Sequence, residues 1–200
     1  MKLTSKILAL AAAASALASA ASAAVETFKI DPVHSSVGFT IRHIVSKVPG
    51  SFTTFSGTVM VDRDNMENNS VEATIDVGSV DTRNDHRNAH LKSPDFFDAV
   101  KFPTITFKSK AWKKTGDGMF DVTGDLTIKD VTKEVVLKVS FLGFGPGMKG
   151  GTSSGWEATT TLNRMDFGVV GPAMLGTMVG SDVAVTIEVA AEAPPPADAK

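Results

Sequence analysis

His86 and His90 stand four residues apart in NDHRNAHL, a stretch without glycine or β-branched residues that ends at Ser93-Pro94. Asn84 sits where an N-cap belongs, so the pattern predicts one short helix over Asn84 to Leu91 with both imidazoles on one face. Paired histidines of this spacing share a metal in zinc hydrolases, where a glutamate between them acts as base. Here Arg87, Asn88 and Ala89 intervene, and the guanidinium would repel a cation. Neither a metal site nor a cofactor is expected. Nucleophilic catalysis is not expected either, because the chain has no cysteine and no Gly-x-Ser-x-Gly turn. Asp95 and Asp98 flank Phe96-Phe97 and read as turn residues closing the helix, not as a carboxylate pair with separated pKa values.

The elements that must position these groups are strands. Val33, Val37, Phe39 and Ile41 alternate with His34, Ser36, Gly38, Thr40 and Arg42, so one face is apolar and the other mostly polar. His43 falls on the apolar side and Arg42 on the opposite one. After Pro49-Gly50, Phe52 and Phe55 enter a second extended run. Further alternating faces are Val71 to Val77, Ile105 with Phe107, Phe120 to Ile128, Val135 to Phe141, Trp156 to Leu162 and Val183 to Val189. That makes about eight strands joined by polar turns, an all-β antiparallel pattern. Alternation leaves sandwich and barrel open, since both bury one face.

The first residues carry Lys2 and Lys6, then an alanine-rich apolar run ending in Ala21-Ser22-Ala23. This reads as a secretory signal peptide over residues 1–23, with Ala18-Ser19-Ala20 as an alternative cleavage site. The run is short of the roughly 20 residues a membrane span needs. Residues 24–192 then form one domain, and the Pro/Ala-rich 193–200 reads as a disordered tail. Without cysteine there are no disulfides, thiolate metal sites or lipid-modified cysteine. With a formal net charge of −2, nothing points to nucleic acid. The expected compartment is the periplasm.

DPVHSSVGFTIRHIVSKVPGSFTTFSG resembles the N-terminal signature of the YceI-like family of bacterial polyisoprenoid-binding proteins. RNDHRNAHLKSPDFFDAVKFPTITFKS, GDLTIKDVTKEVVLKV and LNRMDFGVV resemble later family segments in the same order. The resemblance implies a single antiparallel eight-stranded lipocalin-like barrel with one short helix and an internal apolar pocket. It also implies non-covalent binding of a long-chain isoprenoid lipid, polyprenyl phosphate or isoprenoid quinone, for storage, shielding or transport.

Against that pattern the phenylalanine cluster, Phe102 and Phe55 included, looks like a tunnel wall. The expected lipid-binding residues are Val37, Phe39, Ile41, His43, Phe52, Phe96, Phe97, Ile105 and Phe107. In the loop 169–182, Met174, Leu175 and Met178 stand among glycines and read as a lid over the mouth. His43, Arg83, His90 and Arg164 are the head-group candidates. The partner is an isoprenoid lipid or other long-chain amphiphile, with room for transient membrane contact and for a homodimer. Two rivals remain: a structural or stress-response barrel filled by its own side chains, and an enzyme acting on a hydrophobic substrate. The first has no cavity; the second needs a titratable pair inside it.

Overall fold

The computed structural model describes residues 25–176 and 178–195; residues 1–24, where the signal peptide is expected, residue 177 and residues 196–200 lie outside them. The backbone forms one antiparallel sheet of β1 (Glu26–Ile30), β2 (Ser36–His43), β3 (Ser46–Phe52), β4 (Phe55–Val61), β5 (Ser70–Asp76), β6 (Val80–Asp81), β7 (Thr104–Gly116), β8 (Met119–Ile128), β9 (Val131–Pro146), β10 (Thr152–Asn163) and β11 (Val179–Ala193). A single helix, α1 (Asp85–Lys92), separates β6 from β7. It starts as expected: the Asn84 side chain accepts from the Arg87 N–H at 2.9 Å.

The sheet closes into an eight-stranded barrel because three of its staves are each made of two short strands. β1 and β2 both pair with β11, Lys29 opposite Glu192 and His43 opposite Val179. They are therefore halves of one stave, interrupted at Asp31 to Ser35. β3 with β4, and β5 with β6, are broken beside them, and side chains repair the lost ladder bonds. The Ser35 hydroxyl accepts from the Ala190 N–H at 3.0 Å and donates to its carbonyl at 3.2 Å. The Thr54 N–H donates to the Ser79 hydroxyl at 3.0 Å, a partner in place of the broken ladder. Val33, expected on the inward face, lies in the first interruption and is 81% exposed, because the looped-out segment leaves the pleat.

The interior has two apolar layers. One end is filled by Phe28, Val61, Trp112, Phe120 and Trp156, whose rings interlock, Trp112 with Trp156 at 5.6 Å and Phe141 with Trp156 at 4.6 Å. There the strands reverse through the short β4–β5, β7–β8 and β9–β10 connections. The other layer, with Phe52, Phe96, Ile128, Phe167 and Val169, lies under α1 and the β10–β11 connection. The barrel is plugged at the first end and lidded at the second. β11 takes in the buried Ala193, one residue past the expected end of the domain.

Candidate functional site

Between the two layers lies a cavity of about 470 Å³, within the range of small-molecule sites. Alternation built it. From β2 come Val37, Phe39, Ile41 and His43, and from β11 come Val183, Val185, Ile187 and Val189. Arg42, on the other face, is exposed and donates to the Ile44 carbonyl at 2.9 Å. Phe52, Phe96, Phe97, Ile105 and Phe107 also line the cavity, with Phe39 packed on Phe52 at 5.7 Å and Phe97 edge-on to Phe52 at 5.9 Å. Phe55 is on the wall as well. Phe102 is not: it sits outside, with Lys101 4.8 Å from its ring centre, because its strand-like run begins only at Thr104.

Two glycines make room for these rings. Gly50 pairs with Phe39 across β2 and β3, and a Cβ at Gly50 would come within 2.3 Å of the Phe39 ring. Gly124 does the same for Phe107, where a Cβ would fall 2.5 Å from the ring and 2.6 Å from the Lys108 carbonyl. Gly50→Ala is therefore expected to rotate Phe39 into the cavity. Affinity for a C20 isoprenoid should fall by about tenfold while the fold persists. Isothermal calorimetry on the variant, with circular dichroism as control, checks this; undiminished affinity would show that the ring moves elsewhere.

The charged part of the wall is confined to the lidded end. His43 stands opposite Val179, beside Gly180, whose carbonyl accepts from Arg164 Nε at 2.9 Å. The Arg164 guanidinium also donates to the carbonyls of Val169, at 2.6 Å, and Val170. Burial pulls its pKa below the ordinary arginine value, yet an arginine stays cationic. His90, on α1, holds the Asp95 carboxylate at 2.9 Å and meets Phe96 edge-on at 5.0 Å. His43, His90 and Arg164 all line the cavity.

Arg83 does not. It has a left-handed backbone (φ 60°), is exposed, and lies off the cavity wall. The cation that α1 sends inward is Arg87, whose Nε donates to the Thr82 hydroxyl at 2.8 Å and whose Nη2 donates to the Thr82 carbonyl at 2.7 Å. Asn88 fixes the same corner, accepting from the Thr82 N–H at 2.8 Å and donating to Asp81 at 3.0 Å. The sequence signal for Arg87 was its spacing: three residues before His90 and four before Leu91, it shares their helix face.

The lid also differs from expectation. Leu175 faces the cavity, whereas Met174 and Met178 are exposed and off the wall. The chain turns at Gly171 and Gly176, both at positive φ, and the tight 173–175 turn between them points Leu175 and Met174 to opposite sides. Gly171 lies under Phe96 and donates to the Asp95 carbonyl at 3.0 Å, which ties this loop to the one after α1.

A YceI-like domain model matches residues 28–191. The chain belongs to the YceI-like family. A UPF0312 protein of Ectopseudomonas mendocina is 42% identical over 144 residues, covering 70% of this chain and 75% of that protein. Among solved structures, Burkholderia cenocepacia BcnA superposes with a TM-score of 0.74 at 26% identity, covering 80% of this chain and 98% of that one. A polyisoprenoid binding domain from Saccharophagus degradans superposes with a TM-score of 0.66 at 15% identity, over 86% of this chain and all of that domain (100%), a likeness of fold. Both neighbours share the barrel fold of this chain.

Proposed function

We propose that this YceI-like barrel binds a long-chain isoprenoid lipid, a polyprenyl phosphate or isoprenoid quinone, and stores, shields or carries it in the periplasm. The observation that carries the reading is the cavity of about 470 Å³, walled mainly by aliphatic and aromatic side chains from every stave and charged only at its mouth. Each buried CH₂ contributes roughly 0.8 kcal/mol, so a tail of several isoprene units binds without a polar contact. The reading sits well with the polyisoprenoid binding domain that shares the fold. Binding is favoured over turnover because, among the described residues, the His90 and Asp95 side chains bond each other and no hydroxyl. The one hydroxyl on α1's side of the mouth, Thr82, is held by Asn88 and Arg87. Native mass spectrometry of protein taken gently from the periplasm tests the reading: a lipid adduct that organic extraction removes is expected, and a bare chain that takes up no isoprenoid would overturn it.

A closed sheet admits a long tail only through an end, and the loops at the mouth are the ones free to part. Residues 171–176 with Phe96 and Phe97 are expected to gain hydrogen-exchange protection on lipid binding, while the plugged end at 112–122 does not change. Equal protection at both ends would mean that the tail passes the tryptophan plug instead. The rim bears apolar groups facing water: Val45 is 97% and Met174 82% exposed, and the Ile44 N–H bonds the Met178 carbonyl at 2.7 Å, joining the two segments. We read this rim as the surface that touches a bilayer. Val45→Glu with Met174→Glu is expected to slow lipid pickup from vesicles about tenfold without changing equilibrium affinity. Unchanged transfer rates by stopped-flow fluorescence would remove the rim from the pathway.

A further inference from the structure

We infer that the cavity takes tails longer than it holds at rest by yielding along a line of breaks that crosses three neighbouring staves. The inference rests on the lipid-binding reading and adds to it how the wall sets the length of tail accepted. At the packing density of a protein interior an isoprene unit fills on the order of 100 Å³. A cavity of about 470 Å³ is therefore nearly full with a C20 tail, and a C45 tail needs roughly twice the room. Part of the wall must move to admit it. Most of the wall is continuous: β8 with β9, and β10 with β11, pair without a register shift along their shared length. The far end is filled by the interlocked rings of Trp112, Phe120 and Trp156.

The three broken staves differ. Their breaks lie side by side: Val37 pairs with Phe52 and Phe52 with Val80 on the mouth side of the line, while Lys29 pairs with Thr58 and Phe55 with Ile75 on the other. On the mouth side, β2, β3 and β6 form a panel with α1, and β6 ends the sheet order, so the ladder joining the panel to the rest is β2 with β11. The panel carries Phe39, Ile41 and Phe52, and its outward movement widens the cavity. Spare chain lets it move without stretching. Residues 31–35 stand against only Val189 and Ala190, and residues 76–79 against only Thr53 and Thr54. The ties across the line come from two serines. The Ser79 hydroxyl, beside β6, accepts from the Thr54 N–H, beside β4, at 3.0 Å, and the Ser35 hydroxyl accepts from the Ala190 N–H at 3.0 Å. Thr53 and Thr54 are exposed and both serines half-buried, so water replaces these bonds as the panel moves. Just across the line, an outer groove shares Ile30, Ser56, Ala73 and Phe107 with the cavity, and a single layer of chain separates cavity from solvent there.

The test uses the delipidated mature protein with geranylgeraniol and solanesol, C20 and C45 alcohols that share a head group. The emission of Trp112 and Trp156, the chain's two tryptophans and both on the wall, reports binding. Both alcohols are expected to bind. In the C45 complex the Thr53, Thr54 and Ala190 amides are expected to exchange at least about tenfold faster than in the C20 complex, with residues 112–122 unchanged. Ser35→Ala with Ser79→Ala removes both ties and should shift relative affinity several-fold toward the C45 alcohol. Thr106→Ala, exposed on the outer face, should leave the ratio as it is. Circular dichroism confirms folding; if the double variant unfolds, the exchange comparison in the parent protein decides. Binding of the C20 alcohol alone, or C45 binding with unchanged exchange along the line, overturns the inference and leaves lipid binding standing. Faster exchange at 112–122 instead also overturns it, by placing the yielding part in the plug. If neither alcohol binds, the lipid reading fails and the inference with it.

Discussion

Phe39→Asp is expected to lower isoprenoid affinity by at least about a hundredfold, while Thr40→Asp, one residue along the same strand, changes it by less than about twofold. Phe39 is on the cavity wall against Phe52; Thr40, paired with Pro49 and Ala184, is on the other face. A carboxylate at Phe39 would face the tail without a partner, and desolvating it costs several kcal/mol. Because the same cost could unfold the barrel, Phe39→Asn serves as the milder companion, with circular dichroism on both. Binding is measured by tryptophan emission against a C20 isoprenoid. Similar losses at positions 39 and 40 in folded protein would mean that the tail does not lie along β2.

Phe28→Ala should produce the largest loss of stability. Phe28 is fully buried (0% exposed) at the plugged end, packed against Phe144 at 5.9 Å, and its strand β1 is the piece that closes the barrel on β11. Removing a buried ring costs roughly 3–5 kcal/mol, and at about 2–4 °C per kcal/mol for a domain of this size the Tm should fall by roughly 6–20 °C. Val33→Ala, in the looped-out interruption, should move it by less than about 2 °C. Differential scanning calorimetry decides between them. A small change at Phe28 would show that the plug repacks and that closure does not depend on this ring.

The Phe39 and Thr40 variants depend on knowing which way a side chain faces, and on β2 that was legible without coordinates. The inward sets Val37/Phe39/Ile41/His43, Val135/Leu137/Val139 and Val183/Val185/Ile187/Val189 were readable because a strand has period two and one wrong step would expose the whole face. α1 was readable for a local reason as well. Asn84 caps it through its own side chain, and Ser93-Pro94 ends it.

What tertiary structure decided lies where no period runs. β1 gives no distinct signal in five residues, ETFKI, and its identity as half of a stave follows only from its pairing with Glu192 and Ala191 at the far end of the chain. In the loops, φ at single glycines sets direction, so Leu175 rather than Met174 or Met178 covers the mouth. The cations divide in the same way. Arg83 is itself at positive φ and lies off the wall, while Arg87 is held at the mouth because helix α1 is anchored to β6 through Thr82, Asn88 and Asp81. Alternation is a property of neighbouring residues, and so sequence alone determined the wall. The mouth is assembled from β2, α1 and the β10–β11 connection, and which of their side chains converge depends on long-range pairing that only the closed barrel imposes.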